Sequence, residues 1–185
     1  MVGYGPEDNH FVVELTYNYG IKSYDLGNDY REIGIKSQKA FAAIKEKNYS
    51  VSESGEGFVL VQAPDGYGFR VFNENVAEGA DPVQYVSLSS SNLGKTKEYW
   101  VDTLGLNLVE ESKEELTVRF EEGQAALKFV ALQGETLDHK DAYGRVAFSC
   151  PADQLADIQQ GIKDTNNTIL TPLVSLDTPG KVSNA

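Results

Sequence analysis

The sequence is poor in the residues that carry thiol and soft-metal chemistry: one cysteine, Cys150, and two histidines, His10 and His139, in 185 residues. A lone cysteine forms no internal disulfide, so a reducing compartment is the expectation. A Cys/His zinc site takes four such ligands and cannot be built from this chain alone. Cations are also short, 16 Lys and Arg against 28 Asp and Glu, for a formal charge of −12. Binding to nucleic acid without regard to sequence trades Lys and Arg for phosphate counterions, and a surface of this sign repels that polyanion. No apolar run approaches the ~18 residues of a membrane span. The first ten residues, MVGYGPEDNH, hold neither a basic segment nor an apolar core, so no secretory or transit signal is expected.

What is present is ordinary globular composition, 41 % apolar and 24 % charged, arranged in a repeat. A short apolar strand ends in Ser, a helix of roughly three turns follows, and two or three strands come after it. The first copy runs from Glu32 to Ser37 and on into QKAFAAIKEKN, with Ser37 as N-cap and Phe41 and Ile44 on one face. Its later strands are VSES, GFVLVQA and GFRVFNE, with Pro64-Asp65-Gly66 turning between the last two. The second copy runs from Gln84 to Ser90, then through a helix with Leu93, Trp100 and Leu104 on one face, then through LNLVEE, ELTVRFEE and AALKFVAL. A third starts after Gly144 with RVAFS, and Pro151 suits the first helical position beyond it. Ile33, Val86 and Val146 are equivalent points, 53 and 60 residues apart. Residues 8–19 read as the last strand of an earlier copy, and at most one strand follows the third helix. A βαβββ unit alone has an open edge and a bare face, so it must pair.

These residues resemble a known family. Glu14 to Gly20, ELTYNYG, is similar to a strand of glyoxalase I, and APDGYGFRVFN at 63–73 is similar to that enzyme's closing hairpin. The strand-Ser-helix-LG pattern at 86–105 is shared too. The resemblance is to the vicinal oxygen chelate, glyoxalase I-like superfamily, and covers essentially all of the chain but the final VSNA. It implies an α+β fold of repeated βαβββ modules. Residues 1–24 are the last strands of an incomplete module one, 25–76 are module two, 81–136 are module three, and 140–185 are an incomplete module four. On this reading the chain is a truncated or alternatively spliced product.

Enzymes of the superfamily hold a divalent metal in the cup between two paired modules. Each module supplies one ligand from its first strand, usually His or Gln, and a Glu from its last. The chemistry needs neutral or anionic N and O donors and open positions for two substrate oxygens. Carried over position by position, Glu14 matches the glutamate of module one and Glu32 stands at the first-strand position of module two. Arg70 stands where the module-two glutamate belongs. In module three the positions fall on Tyr85 and on Lys128, or Phe129 if the register slips by one; in module four the first falls on Arg145. A guanidinium offers no lone pair and stays charged at working pH. The resemblance therefore implies a vestigial ligand set, Glu14 and Glu32, with Arg70 at a former ligand position and no catalytic residue. If modules one and two pair, two outcomes are open for Arg70: it bridges Glu14 and Glu32 in place of the metal, or it extends to solvent from its hairpin strand.

The other candidates read plainly. Cys150 with His139 and Asp138 could form a nucleophile set, but a small thiol before Pro151 fits a buried strand-to-helix junction. His10 and His139 lie in polar, loop-like contexts. Two glycosylation sequons, at Asn48 and Asn166, carry no meaning without a signal peptide. The acidic run from Glu110 to Glu122 reads as a solvated hairpin guarding an edge.

The expected function is a non-catalytic small-molecule-binding or protein-interaction module with no cofactor. The alternative is a metal-dependent glyoxalase or lyase, using Zn or Ni, completed by other segments or a partner chain. Expected partners are the chain itself or another βαβββ module, with a Nudix-type hydrolase implied by the resemblance, and neither nucleic acid nor membrane. The expected compartment is the cytoplasm, with mitochondria as the family-based alternative. Modules two and three are each expected to expose an unpartnered face, and the chain beyond about Thr171 to dock loosely.

Overall fold

The hydroxyl of Ser37 accepts a hydrogen bond from the Ala40 N–H at 3.1 Å and starts a helix where an extended strand has just ended. This strand-to-helix junction organises the chain. The computed structural model describes residues 1–142, 144–178 and 181–184, those from Ser175 onward by backbone alone. Strands β1 (Val2–Gly3) and β2 (Val12–Val13) form a short antiparallel pair. Then come β3 (Tyr30–Lys36), α1 (Gln38–Glu46), β4 (Val51–Gly55), β5 (Phe58–Gln62) and β6 (Gly68–Phe72). The next unit repeats the order: β7 (Val83–Ser90), α2 (Leu93–Lys97) with a π-helical turn at Glu98–Thr103, β8 (Asn107–Glu111), β9 (Glu115–Arg119) and β10 (Ala126–Ala131). A 3-10 turn at Ala152–Gln154 leads into α3 (Leu155–Asp164), and β11 (Ser175–Thr178) pairs antiparallel with β12 (Lys181–Asn184).

The two βαβββ units make one eight-stranded sheet in the order β4-β5-β6-β3-β7-β10-β9-β8. Each first strand runs parallel to the last strand of its own unit, and the first strands run antiparallel to each other. Alternation along the strands sends the apolar residues to one face. There Ile44, with Ala40 and Phe41, packs from α1 onto Val59 and Val71. Leu93, Trp100 and Leu104 pack from the second helical segment onto a cluster that includes Leu116, Val118, Leu127 and Phe129. Leu116 and Val118 are almost wholly buried, so truncating Leu116 to alanine costs about 2–5 kcal/mol. The outer strands β4 and β8 are exposed along their whole length, which explains their polar sequences.

Three expectations are corrected. Modules two and three are not left without partners, because their first strands pair with each other and join the two units in one sheet. Glu14 to Tyr19 form no strand; Val12 and Val13 alone pair, with Gly3 and Val2. Arg145 to Ser149 form no strand either. A first strand in this fold is held on one side by another first strand and on the other by its own module's last strand, and neither flanks this segment. Phe148 packs instead against Trp100 and Phe120. The expectation of loose docking after Thr171 falls largely on residues whose side chains lie outside those described; within the described part the Leu173 N–H donates to Gln159 at 2.7 Å and the backbone of β11 pairs with β12.

Candidate functional site

The helices cover one face of the sheet, and the other carries the polar residues. Its centre is set by the β3–β7 register, in which Ile33 lies opposite Val86, Tyr30 opposite Leu88, and Ile35 opposite Val83. The two units are therefore related by a pseudo-two-fold axis through the Ile33–Val86 pair. The registers extend the correspondence outward. Arg70 lies beside Gly34, and Lys128 lies beside Ser87, the counterpart of Gly34. Arg70 and Lys128 thus occupy equivalent places, as do Glu32 and Tyr85, and the register assigns the module-three position to Lys128 rather than Phe129.

Four corresponding side chains from two modules meet on this face. Arg70 donates from Nε to Glu32 Oε1 at 2.7 Å, and the Tyr85 hydroxyl donates to the same oxygen at 2.8 Å. Arg70 also reaches Glu53, with each terminal nitrogen 3.4 Å from one carboxylate oxygen. The guanidinium lies over the Phe58 ring, 4.4 Å from its centroid, a cation–π contact that holds the plane of the fork. On the other side of the axis Lys128 pairs with Glu115 at 2.9 Å and stands 5.7 Å from the centre of the Tyr85 ring. Burial, then the bond to Glu32, pushes the Tyr85 hydroxyl well above the ordinary phenol range, so it remains a donor. The Glu32 bond, outweighing burial, holds Arg70 even more firmly protonated than an ordinary guanidinium.

Backbone makes room for this cluster. A Cβ at Gly34 would lie 2.4 Å from the Tyr85 ring. Only glycine lets that ring lie across β3 and deliver its hydroxyl to Glu32. Beside the cluster, Asn28, Tyr30, Glu32, Glu53, Leu60 and Arg70 are among the residues lining an open hollow of about 310 Å³.

The sequence-derived candidates divide sharply. Glu32 and Arg70 are brought together; Glu14 is exposed and outside the cluster. Cys150 bonds locally, to the Pro151 carbonyl and Gln154, while His139 pairs with Asp29 at 2.5 Å, so no nucleophile set forms. Among the described residues no group of three or more His, Cys, Asp or Glu side chains could hold a metal ion, and no helix is long and apolar enough to cross a membrane. Sequence reasoning placed Tyr85 at a ligand position of another pair of modules and missed Glu53, which stands in the strand VSES. Only a correct pairing of the modules would have joined Tyr85 to Glu32.

A sequence profile described as glyoxalase domain-containing protein 4-like, C-terminal domain, matches residues 92–184, half of the chain. The chain belongs to this family. The mouse glyoxalase domain-containing protein 4 is 43 % identical over 185 residues, covering 99 % of this chain and 61 % of the mouse protein. A Caenorhabditis briggsae protein named glyoxalase 1 is 45 % identical over 181 residues, covering 98 % of this chain and 62 % of its own length. The chain thus spans about three fifths of these relatives. The crystal structure of a glyoxalase I variant from Zea mays superposes with a TM-score of 0.79 at 25 % identity, over 96 % of this chain and 70 % of the maize chain. The α+β, glyoxalase I-like fold expected of a glyoxalase domain-containing protein 4-like chain is the fold found here.

Proposed function

We propose that modules two and three of this chain form a glyoxalase-like cup whose metal has been replaced by an internal ion pair, and that the cup is a non-catalytic small-molecule-binding module. One observation carries the reading: Oε1 of Glu32, the only carboxylate at the four corresponding positions, accepts both the Arg70 guanidinium and the Tyr85 hydroxyl. A divalent cation needs those lone pairs and would sit against two fixed positive charges, Arg70 and Lys128. The donor set does not fit a Zn or Ni ion. The one carboxylate among the four positions that could act as a base, Glu32, is already held by Arg70 and Tyr85.

The second reading is a metal-dependent lyase. It is favoured by relatives bearing the names glyoxalase 1 and lactoylglutathione lyase, and it requires ligands from other segments or a partner. The deciding experiment is metal analysis of the purified chain after dialysis against zinc or nickel, beside turnover of the methylglyoxal–glutathione hemithioacetal. The expected result is neither stoichiometric metal nor turnover. Stoichiometric metal with turnover, both abolished by Glu32→Gln, would establish the lyase.

Leu15, Tyr17, Tyr19 and Ile21 form an exposed apolar run, which supports the expectation that the chain meets a second copy or another βαβββ module. Sedimentation should show concentration-dependent association that Leu15→Ser/Tyr17→Ser weakens; a single monomeric boundary at all concentrations contradicts it. A Nudix-type hydrolase as partner and a cytoplasmic or mitochondrial site stay proposals resting on the family resemblance.

A further inference from the structure

We propose that Arg70 anchors a binding site for the carboxylate of a small monocarboxylic acid, and that Glu53 occupies the place of that carboxylate when no ligand is bound. This rests on the reading of the cup as a small-molecule-binding module and names its ligand class.

Arg70 divides its donors unequally. Nε points inward to Glu32 at 2.7 Å, where the carboxylate is also held by Tyr85. The two terminal nitrogens point outward, each facing one oxygen of Glu53 at 3.4 Å. The first contact is a short ionic hydrogen bond, and the second lies at the outer limit of one. Exposure follows the same division: 13 % of the Glu32 side chain is accessible against 53 % of Glu53. Two parallel N–H groups facing two carboxylate oxygens is the fork geometry by which arginine recognises carboxylates.

Glu53 is built to leave. It stands on the outer strand β4 beside a slip in the β4–β5 register between Val51 and Glu53. Such a bulge re-aims a side chain without tying it to the ladder. The outer strand has water on its free side, so a released Glu53 is solvated at little cost. A ligand carboxylate that takes its place leaves the charge around Arg70 unchanged, and no buried ion loses its partner. The Phe58 ring keeps the fork oriented during the exchange.

The hollow beside the fork limits the rest of the ligand. Leu60 and Leu132 offer apolar contact, and Asn28 and Tyr30 stand at its wall. Glu32 and Glu135 line it too, with Arg31 as the single further cation of the lining, so once a first carboxylate is on Arg70 a second meets a wall of net negative charge. The chemistry therefore selects a short acid with one carboxylate over a dicarboxylate.

The test uses the full chain and two probes of similar size, lactate and lactamide, followed by NMR of the Arg70 Nε–H and the Leu60 methyls. Lactate is expected to give a saturable shift and lactamide none. Glu53→Gln, which weakens the internal competitor, should tighten lactate at least threefold. Arg70→Lys keeps a cation for Glu32 but removes the fork, and should weaken lactate at least tenfold while the thermal midpoint stays within a few degrees. Equal responses to the two probes, or lactate affinity unchanged by Glu53→Gln, overturn the proposal. The outcome is separable from the metal-free reading. A chain that takes up metal and turns over hemithioacetal, yet binds lactate through Arg70, removes that reading and leaves this site standing. A chain with neither metal nor lactate response removes this site alone.

Discussion

Arg70 and Glu32, 38 residues apart in sequence, meet across the parallel pair β6–β3, with the guanidinium Nε 2.7 Å from the carboxylate. Because Tyr85 donates to the same oxygen from the neighbouring module, the pair is more than a bridge within one module. It fastens module two to module three on the face opposite the helices.

The two single substitutions here should cost more, added together, than the pair removed together. Arg70→Met leaves a largely buried carboxylate without its cation and should destabilise by about 1–3 kcal/mol, with Glu32→Gln somewhat less. The double variant should cost clearly less than the sum, as residues in one network do. Urea denaturation of the four proteins measures the coupling, and strict additivity would mean that the pair carries no shared energy.

Gly34 and Tyr85 should be coupled in the opposite sense, by crowding. Gly34→Ala places a methyl 2.4 Å from the ring and should cost about 1–3 kcal/mol as Tyr85 is driven out of place. In a Tyr85→Ala background most of that cost should vanish. A Gly34→Ala penalty that persists without the ring would mean that the glycine serves the backbone instead.

Two half-buried phenols, Tyr30 and Tyr85, make stability sensitive to alkali. Burial raises both Tyr30 and Tyr85 above the ordinary value of 10.0. In the unfolded chain both phenols lose their protons near pH 10, whereas the folded chain still holds them. Above that pH the unfolded state binds fewer protons, so stability is complete below about pH 10 and falls as pH rises beyond it. Tyr85→Phe should flatten this alkaline decline relative to the unsubstituted chain, as read from thermal midpoints between pH 8 and 11. An unchanged slope would place the Tyr85 hydroxyl in water.

Reversing the two cations should rebuild a donor set. Arg70→Glu with Lys128→Glu puts carboxylates at both last-strand positions beside Glu32, a set of hard oxygen donors. Zinc or nickel affinity, measured by calorimetry, should rise at least tenfold over the unsubstituted chain. No gain would mean that these four positions are not the descendants of a ligand set.

Much of this protein was written locally. The βαβββ period, Ser37 as a cap, and the helical stripes of Phe41 with Ile44 and of Trp100 with Leu104 all depend on neighbours a few residues away. Such features survive in sequence because alternation, helical spacing and turn chemistry act over one or two turns of chain. What tertiary structure alone decided is which module pairs with which. The same hydrophobic face and the same free first-strand edge exist in every copy, so periodicity cannot distinguish pairing of module two with module one from pairing with module three. The antiparallel β3–β7 ladder makes that choice, and three consequences follow from it. Tyr85 comes to Glu32 across 53 residues, Arg70 and Lys128 fall into equivalent places, and Glu14 lies outside the site. The strands expected at Glu14–Tyr19 and Arg145–Ser149 fail for the same reason: a β-strand owes its hydrogen bonds to a partner, and the residues of the strand cannot say whether that partner is there.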